Sequence, residues 1–88
     1  MSYNRWGGDK VKLQEVRKAK GLTQAELALQ SGVKLRTIQE YEYGRQKMDS
    51  AHIDTLVGIG EALEVPFYEL MEDELRIEAI KNNIKRGL

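Results

Sequence analysis

The chain has 88 residues, 41% apolar and 32% charged, which makes one small domain, and its lack of Cys excludes disulfides, thiolate metal sites and Cys nucleophiles. No apolar run is long enough to cross a bilayer and no charged-then-apolar start reads as a signal peptide, so the expected compartment is the cytoplasm. The formal net charge is zero but unevenly spread: residues 1–48 hold ten Lys+Arg against five Asp+Glu, and residues 49–88 four against nine, which suits the N-terminal part to phosphate and turns an acidic remainder away.

Residues 1–8 have no periodicity and end on Gly7-Gly8, and they read as a flexible arm; nothing in the pattern places Trp6. A first helix is expected from Asp9, a good N-cap, to Lys20, with Leu13 and Val16 on its inner face and Gly21 as its stop. Thr23-Gln24-Ala25-Glu26 is a capping box, in which hydroxyl and carboxylate each satisfy a free backbone N–H, so it starts a second helix that ends at Gly32. The short connection Ser31–Lys34 is a tight turn with Gly32 available for positive φ.

A third helix over Leu35–Tyr43 has Ile38 and Tyr41 inward and Leu35, Arg36, Gln39, Glu40 and Tyr43 on the other face. A basic loop, Arg45-Gln46-Lys47-Met48, leads to a fourth helix over Ala51–Leu63, whose core candidates are Ile53, Leu56, Val57, Ile59, Ala62 and Leu63. Gly60 in that helix implies a close backbone approach, whereas Gly58 has no evident reason. Pro66 opens a fifth helix that sends Phe67, Leu70 and Met71 to the core. The helical pattern runs on through Glu72–Lys85, with Ile77, Ile80, Ile84 and Leu88 on one face.

A short helix, a Gly turn and a second short helix with a polar outer face fit a DNA major groove. Leu22-Thr23-Gln24-Ala25-Glu26-Leu27-Ala28, then Gly32-Val33, Thr37-Ile38, Tyr41-Glu42-Tyr43-Gly44 and Ala62–Pro66, resemble the phage repressor/Cro (XRE-type) helix-turn-helix family over residues 11 to about 71. The resemblance implies an all-α, five-helix repressor-like domain over 9–71; the helical pattern that continues beyond it adds an extended C-terminal helix over 72–88, a candidate dimerisation element. The resemblance also implies a transcriptional regulator, a repressor that binds a short palindromic operator in double-stranded DNA as a homodimer.

By that resemblance Gln24 contacts a phosphate, Ala28 lets the two helices cross closely, and Leu35, Arg36, Gln39 and Glu40 face the bases. Tyr43, Arg45 and Lys47 lie against the phosphate backbone, and Arg17 and Glu42 form a structural ion pair; Lys34, by its own charge rather than by the resemblance, can also reach a phosphate. Side-chain chemistry agrees: an Arg36 fork matches guanine O6/N7, Glu40 can accept from cytosine N4, and Leu35 suits a thymine methyl. The chain departs from the family pattern at Lys34, where the family has a Ser or Thr cap. It departs again at Glu40, which brings negative charge to the groove face, and in its longer loop after Gly44.

Four aliphatics on one face, Ile77, Ile80, Ile84 and Leu88, are the candidate dimer interface; the competing expectation folds them back on helices 1 and 4. His52 is a surface residue with no second ligand at metal-site spacing, so no metal and no cofactor are expected. No Ser-His-carboxylate set, phosphate-cradling Gly loop or carboxylate pair is visible, and the sequence reads as non-enzymatic. The alternative reading, from a different class, is an antitoxin-type interaction protein that binds a protein partner through its acidic C-terminal half.

Overall fold

The computed structural model describes residues 12–86, within which there are five α-helices and no strand. They are α1 (Lys12–Lys20), α2 (Gln24–Ser31), α3 (Leu35–Glu42), α4 (Ile53–Leu63) and α5 (Glu74–Lys85), with 3-10 turns at Met48–Ser50 and Phe67–Leu70. The expected arm, Trp6, the Asp9 cap and Leu88 lie outside the described residues. No described helix is long and apolar enough to cross a membrane.

Local signals set α2 and its turn. The Thr23 hydroxyl accepts from the Glu26 amide at 3.0 Å, and the Thr23 amide donates to Glu26 Oε1 at 2.8 Å, closing the capping box. Gly32 ends the helix at φ +75°, its N–H donating to Ala28 O. A side chain there would meet the steric penalty of left-handed backbone. By contrast Lys34 gives α3 no side-chain cap, which costs on the order of 1 kcal/mol against Ser or Thr at that position.

The core is built from one buried stripe per helix. Leu13 of α1, Leu27 of α2, Ile38 and Tyr41 of α3, and Leu56, Ile59 and Leu63 of α4 meet Leu70, Met71 and Ile77. Met48, in the turn before α4, is buried with them. Both glycines of α4 mark close approaches: a Cβ on Gly60 would lie 2.9 Å from Val65 O, and one on Gly58 would lie 3.1 Å from Ser31 O. Gly58 thus lets α4 pass against the C-terminal end of α2, the reason that the sequence alone did not supply.

Three expectations need correction. Helix 4 begins at Ile53 rather than Ala51, because Met48–Ser50 forms its own 3-10 turn. Ile53 and Val57 are not core: they share a stripe four residues apart that solvent reaches, while the core side of α4 is filled by Leu56, Ile59 and Leu63.

The third correction concerns the fifth helix, which does not run on from Phe67 to Lys85. Met71 takes an extended conformation, and the chain restarts as α5 with Asp73 as N-cap, its side chain accepting from the Leu75 and Arg76 amides. Asp49 holds the break from across the fold, accepting from the Glu72 amide at 2.8 Å and the Asp73 amide at 2.9 Å. Ile77 is core and Ile80 packs against it, so half of the stripe offered as a dimer interface serves the protomer itself. Ile84, on the same face one turn further, overhangs the core and is 53% exposed.

The acidic half does not simply face away either. Lys12 pairs with Glu74 at 3.8 Å and Lys20 with Glu64, so two lysines of α1 are turned to the C-terminal half.

Candidate nucleic-acid interface

The polar contacts that tie α3 to α1 converge on one carboxylate. Glu42, in the last turn of α3, has a side chain sealed from solvent. Its Oε2 accepts from Arg17 Nε at 2.6 Å and its Oε1 from Arg17 Nη2 at 2.9 Å, a two-point pairing of guanidinium and carboxylate. Arg17 uses its remaining nitrogen, Nη1, to donate to Leu22 O at 2.8 Å, tying α1 to the segment before α2.

Glu42 Oε1 also accepts from Gln24 Nε2 at 3.0 Å and from Gln14 Nε2 at 3.4 Å. Burial alone would push the Glu42 carboxyl up, but hydrogen bonds from Arg17, Gln24 and Gln14 and the charge of Arg17 hold it below its ordinary range. The Arg17 guanidinium is raised by the same hydrogen bond, against the cost of its own burial. The ion pair expected between residues 17 and 42 is therefore formed, and it joins three helices. Gln14 was not anticipated, although its place one turn before Arg17 on the same helix face was a usable signal.

On the outer side of α3, Arg36 has a side chain 88% exposed, and Leu35 and Tyr43 are exposed beside it. Glu40 stands between two cations, 3.9 Å from Arg36 Nε and 3.7 Å from Arg45 Nη1, and accepts from Gln46 Nε2 at 3.4 Å. Its charge on the groove face is thus locally offset. The loop after Gly44 folds back on the helix: the Arg45 and Gln46 amides both donate to Glu40 O, and the Arg45 guanidinium lies 5.9 Å from the centre of the Tyr43 ring. Lys34 and Lys47 flank the two ends of this surface and are both exposed.

Two of the predicted site residues are less free than their positions suggested. Gln24, the first residue of α2, is half-buried, with its amide nitrogen on Glu42. Gln39 is half-buried as well and donates from Nε2 to Gln24 Oε1 at 3.4 Å. Because the capping box uses the Thr23 and Glu26 amides, the Gln24 and Ala25 N–H groups of that first turn stay open to an anion at the positive end of the helix. His52 is exposed, and among the described residues no group of three His, Cys, Asp or Glu side chains could hold a metal ion.

This geometry can be set beside known proteins. The helix-turn-helix family HTH_3 matches residues 13–70. A search of curated protein sequences returned no match. Among solved structures, the fold is similar to the crystal structure of the restriction-modification controller protein C.AhdI from Aeromonas hydrophila, with 30% identity and a TM-score of 0.61. The likeness covers 68% of this chain and 86% of that one. The matched span starts with Leu13 in the core and ends with Leu70 beneath α1, and it contains the whole of the capped α2, the Gly32 turn and α3 with its buried Glu42 anchor. The chain belongs to the XRE-type helix-turn-helix family of DNA-binding transcriptional regulators.

Proposed function

We propose that the protein is a sequence-specific repressor in the cytoplasm, without catalytic activity, that binds a short palindromic operator as a homodimer. The observation that carries this reading is the fixed pose of α3: a buried ion pair clamps its inner side while Arg36, Leu35 and Tyr43 are exposed on the outer one. A rigid helix with an exposed guanidinium is what base readout in the major groove needs. Arg36, with Leu35, Gln39 and Glu40 around it, meets base edges. The open amides at the start of α2 with Gln24, and then Lys34, Tyr43, Arg45 and Lys47, meet phosphates, which position the helix without specifying sequence.

Dimerisation places two such helices about 34 Å apart on successive major-groove turns. With Ile77 and Ile80 committed to the protomer, the exposed end of α5 at Ile84 is the part of the original stripe left for a second copy. Sedimentation at tens of micromolar should give twice the 10.1 kDa chain mass, and Ile84→Lys should return a monomer. A wild-type monomer contradicts the dimer, and a dimer that survives Ile84→Lys but not Ile53→Lys moves the interface to α4. The antitoxin-type alternative would bind a protein partner through the acidic C-terminal half, where Asp54, Glu61, Glu69 and Glu78 are exposed. Gel shifts against random duplex at two salt concentrations test the choice: weak, steeply salt-dependent binding with no preferred sequence would favour a protein partner instead.

A further inference from the structure

The loop after Gly44 leaves an open-sided cavity of about 280 Å³ between the end of α3, the Met48 turn and the break before α5. Tyr41 and Met48 line it with a phenol and a thioether, both from residues of the core, and Gly44 adds no side chain to fill it. Tyr41 is only 6% exposed, yet its hydroxyl makes no hydrogen bond among the described residues. A buried hydroxyl left without a partner costs free energy, so a guest in the cavity that bonds to it gains what the protein does not supply. Burial pushes the Tyr41 phenol up, which keeps it protonated and able to donate.

Two charged side chains stand at the same cavity. Lys47 is exposed and enters no ion pair among the described residues. Glu72 is drawn to α1, its Oε2 accepting from the Lys12 amide at 3.0 Å. A carboxylate can take both remaining bonds, one from the buried hydroxyl and one from the Lys47 ammonium. An ammonium would instead bring a like charge up to Lys47. The volume is at the lower edge of small-molecule sites, enough for one ring with a short acidic arm. Phenol and thioether walls suit the face and edge of an aromatic ring.

We propose that this cavity is a binding site for a small aromatic carboxylate held by Tyr41 and Lys47, and that its occupation weakens the grip on DNA by taking the Lys47 charge. Lys47 is among the residues assigned to phosphate, so ligand and DNA compete for one cation, and each lowers the affinity of the other by the same factor. The control of DNA binding rests on the function proposed above; the binding site stands without it.

The first measurement needs no DNA. Benzoate, titrated into the full chain and followed by NMR, should saturate at about millimolar concentration, the affinity expected of so small a ligand. The amide shifts should centre on Tyr41, Gly44–Met48 and Glu72. Benzylamine, of the same size and opposite charge, should bind at least about tenfold more weakly. Tyr41→Phe keeps the ring and loses no internal hydrogen bond, so it should fold as wild type does and raise the Kd for benzoate about tenfold. Shifts that never saturate or centre elsewhere, benzylamine binding as tightly, or an unchanged Kd in Tyr41→Phe would each overturn the site.

The second measurement takes the duplex selected from a random-sequence pool. Saturating benzoate, at matched ionic strength, should lower affinity for it about fivefold or more and reduce the slope of log affinity against log salt by about one. Affinity and slope unchanged with benzoate bound would overturn the control of DNA binding. A pool that enriches no motif contradicts the DNA reading instead, while the titration on the free protein still decides the site.

Discussion

Glu42→Ala should cost about 3–5 kcal/mol of stability, because it leaves the Arg17 guanidinium buried with no opposite charge and strips a partner from Gln24 and Gln14 at once. Against a total on the order of 5–10 kcal/mol for a domain of this length, that is enough to leave it largely unfolded on mild warming. A thermal melt should show a fall of at least about 10 °C. Replacing both partners, Arg17→Met with Glu42→Leu, should recover much of the loss, since no charge is then stranded.

The pair also predicts how the fold responds to acid. The folded Glu42 carboxyl lies below its ordinary 4.5 and the unfolded one does not, so the unfolded chain binds the proton more readily. The contribution is complete above that ordinary value and is lost as pH falls through the lowered, folded one. Arg17 stays protonated throughout and adds no slope. Wild type should therefore lose stability below pH 4.5 more steeply than Glu42→Gln does. Parallel slopes would mean that the carboxylate is not held as described.

Ile38→Ala should cost about 2–5 kcal/mol, as should Leu27→Ala, because both side chains are fully enclosed and their loss opens a cavity between α2 and α3. Leu35→Ala, three residues away on the same helix, should cost under about 0.5 kcal/mol, since its side chain is 40% exposed. Denaturant titration of the three variants checks the facing of α3. A Leu35→Ala midpoint as low as that of Ile38→Ala would turn the helix around, and the groove-facing set with it.

Features written in short stretches of sequence were legible in advance. The capping box at Thr23–Glu26, the left-handed Gly32 and the uncapped Lys34 depend on neighbours within a turn, and each stands where the residues put it. The Arg17–Glu42 pair came through the family resemblance, since nothing local joins residues 25 apart. What escaped depends on contacts between distant segments. The break before α5 is held by Asp49, whose carboxylate reaches the Glu72 amide across 23 residues, so a continuous helical pattern gave no warning of it. Ile53 and Val57 fit an apolar helix as well as Leu56 and Ile59 do, and only the packing of α4 on α2 and on the Phe67–Leu70 turn decides which side is covered. Gln39 is half-buried, and its tie to Gln24 follows from a carboxylate on a different turn of α3.

If the exposed face of α3 reads DNA sequence, Arg36 is the most accessible place to test it. Selection from a random duplex pool with wild type should return a twofold-symmetric motif, and the affinity of Arg36→Ala for that motif is the measurement. The expected loss is about 1–3 kcal/mol, with preference relaxed at one position in each half-site and the rest of the motif retained. An Arg36→Ala variant that keeps both the affinity and the full motif would contradict it.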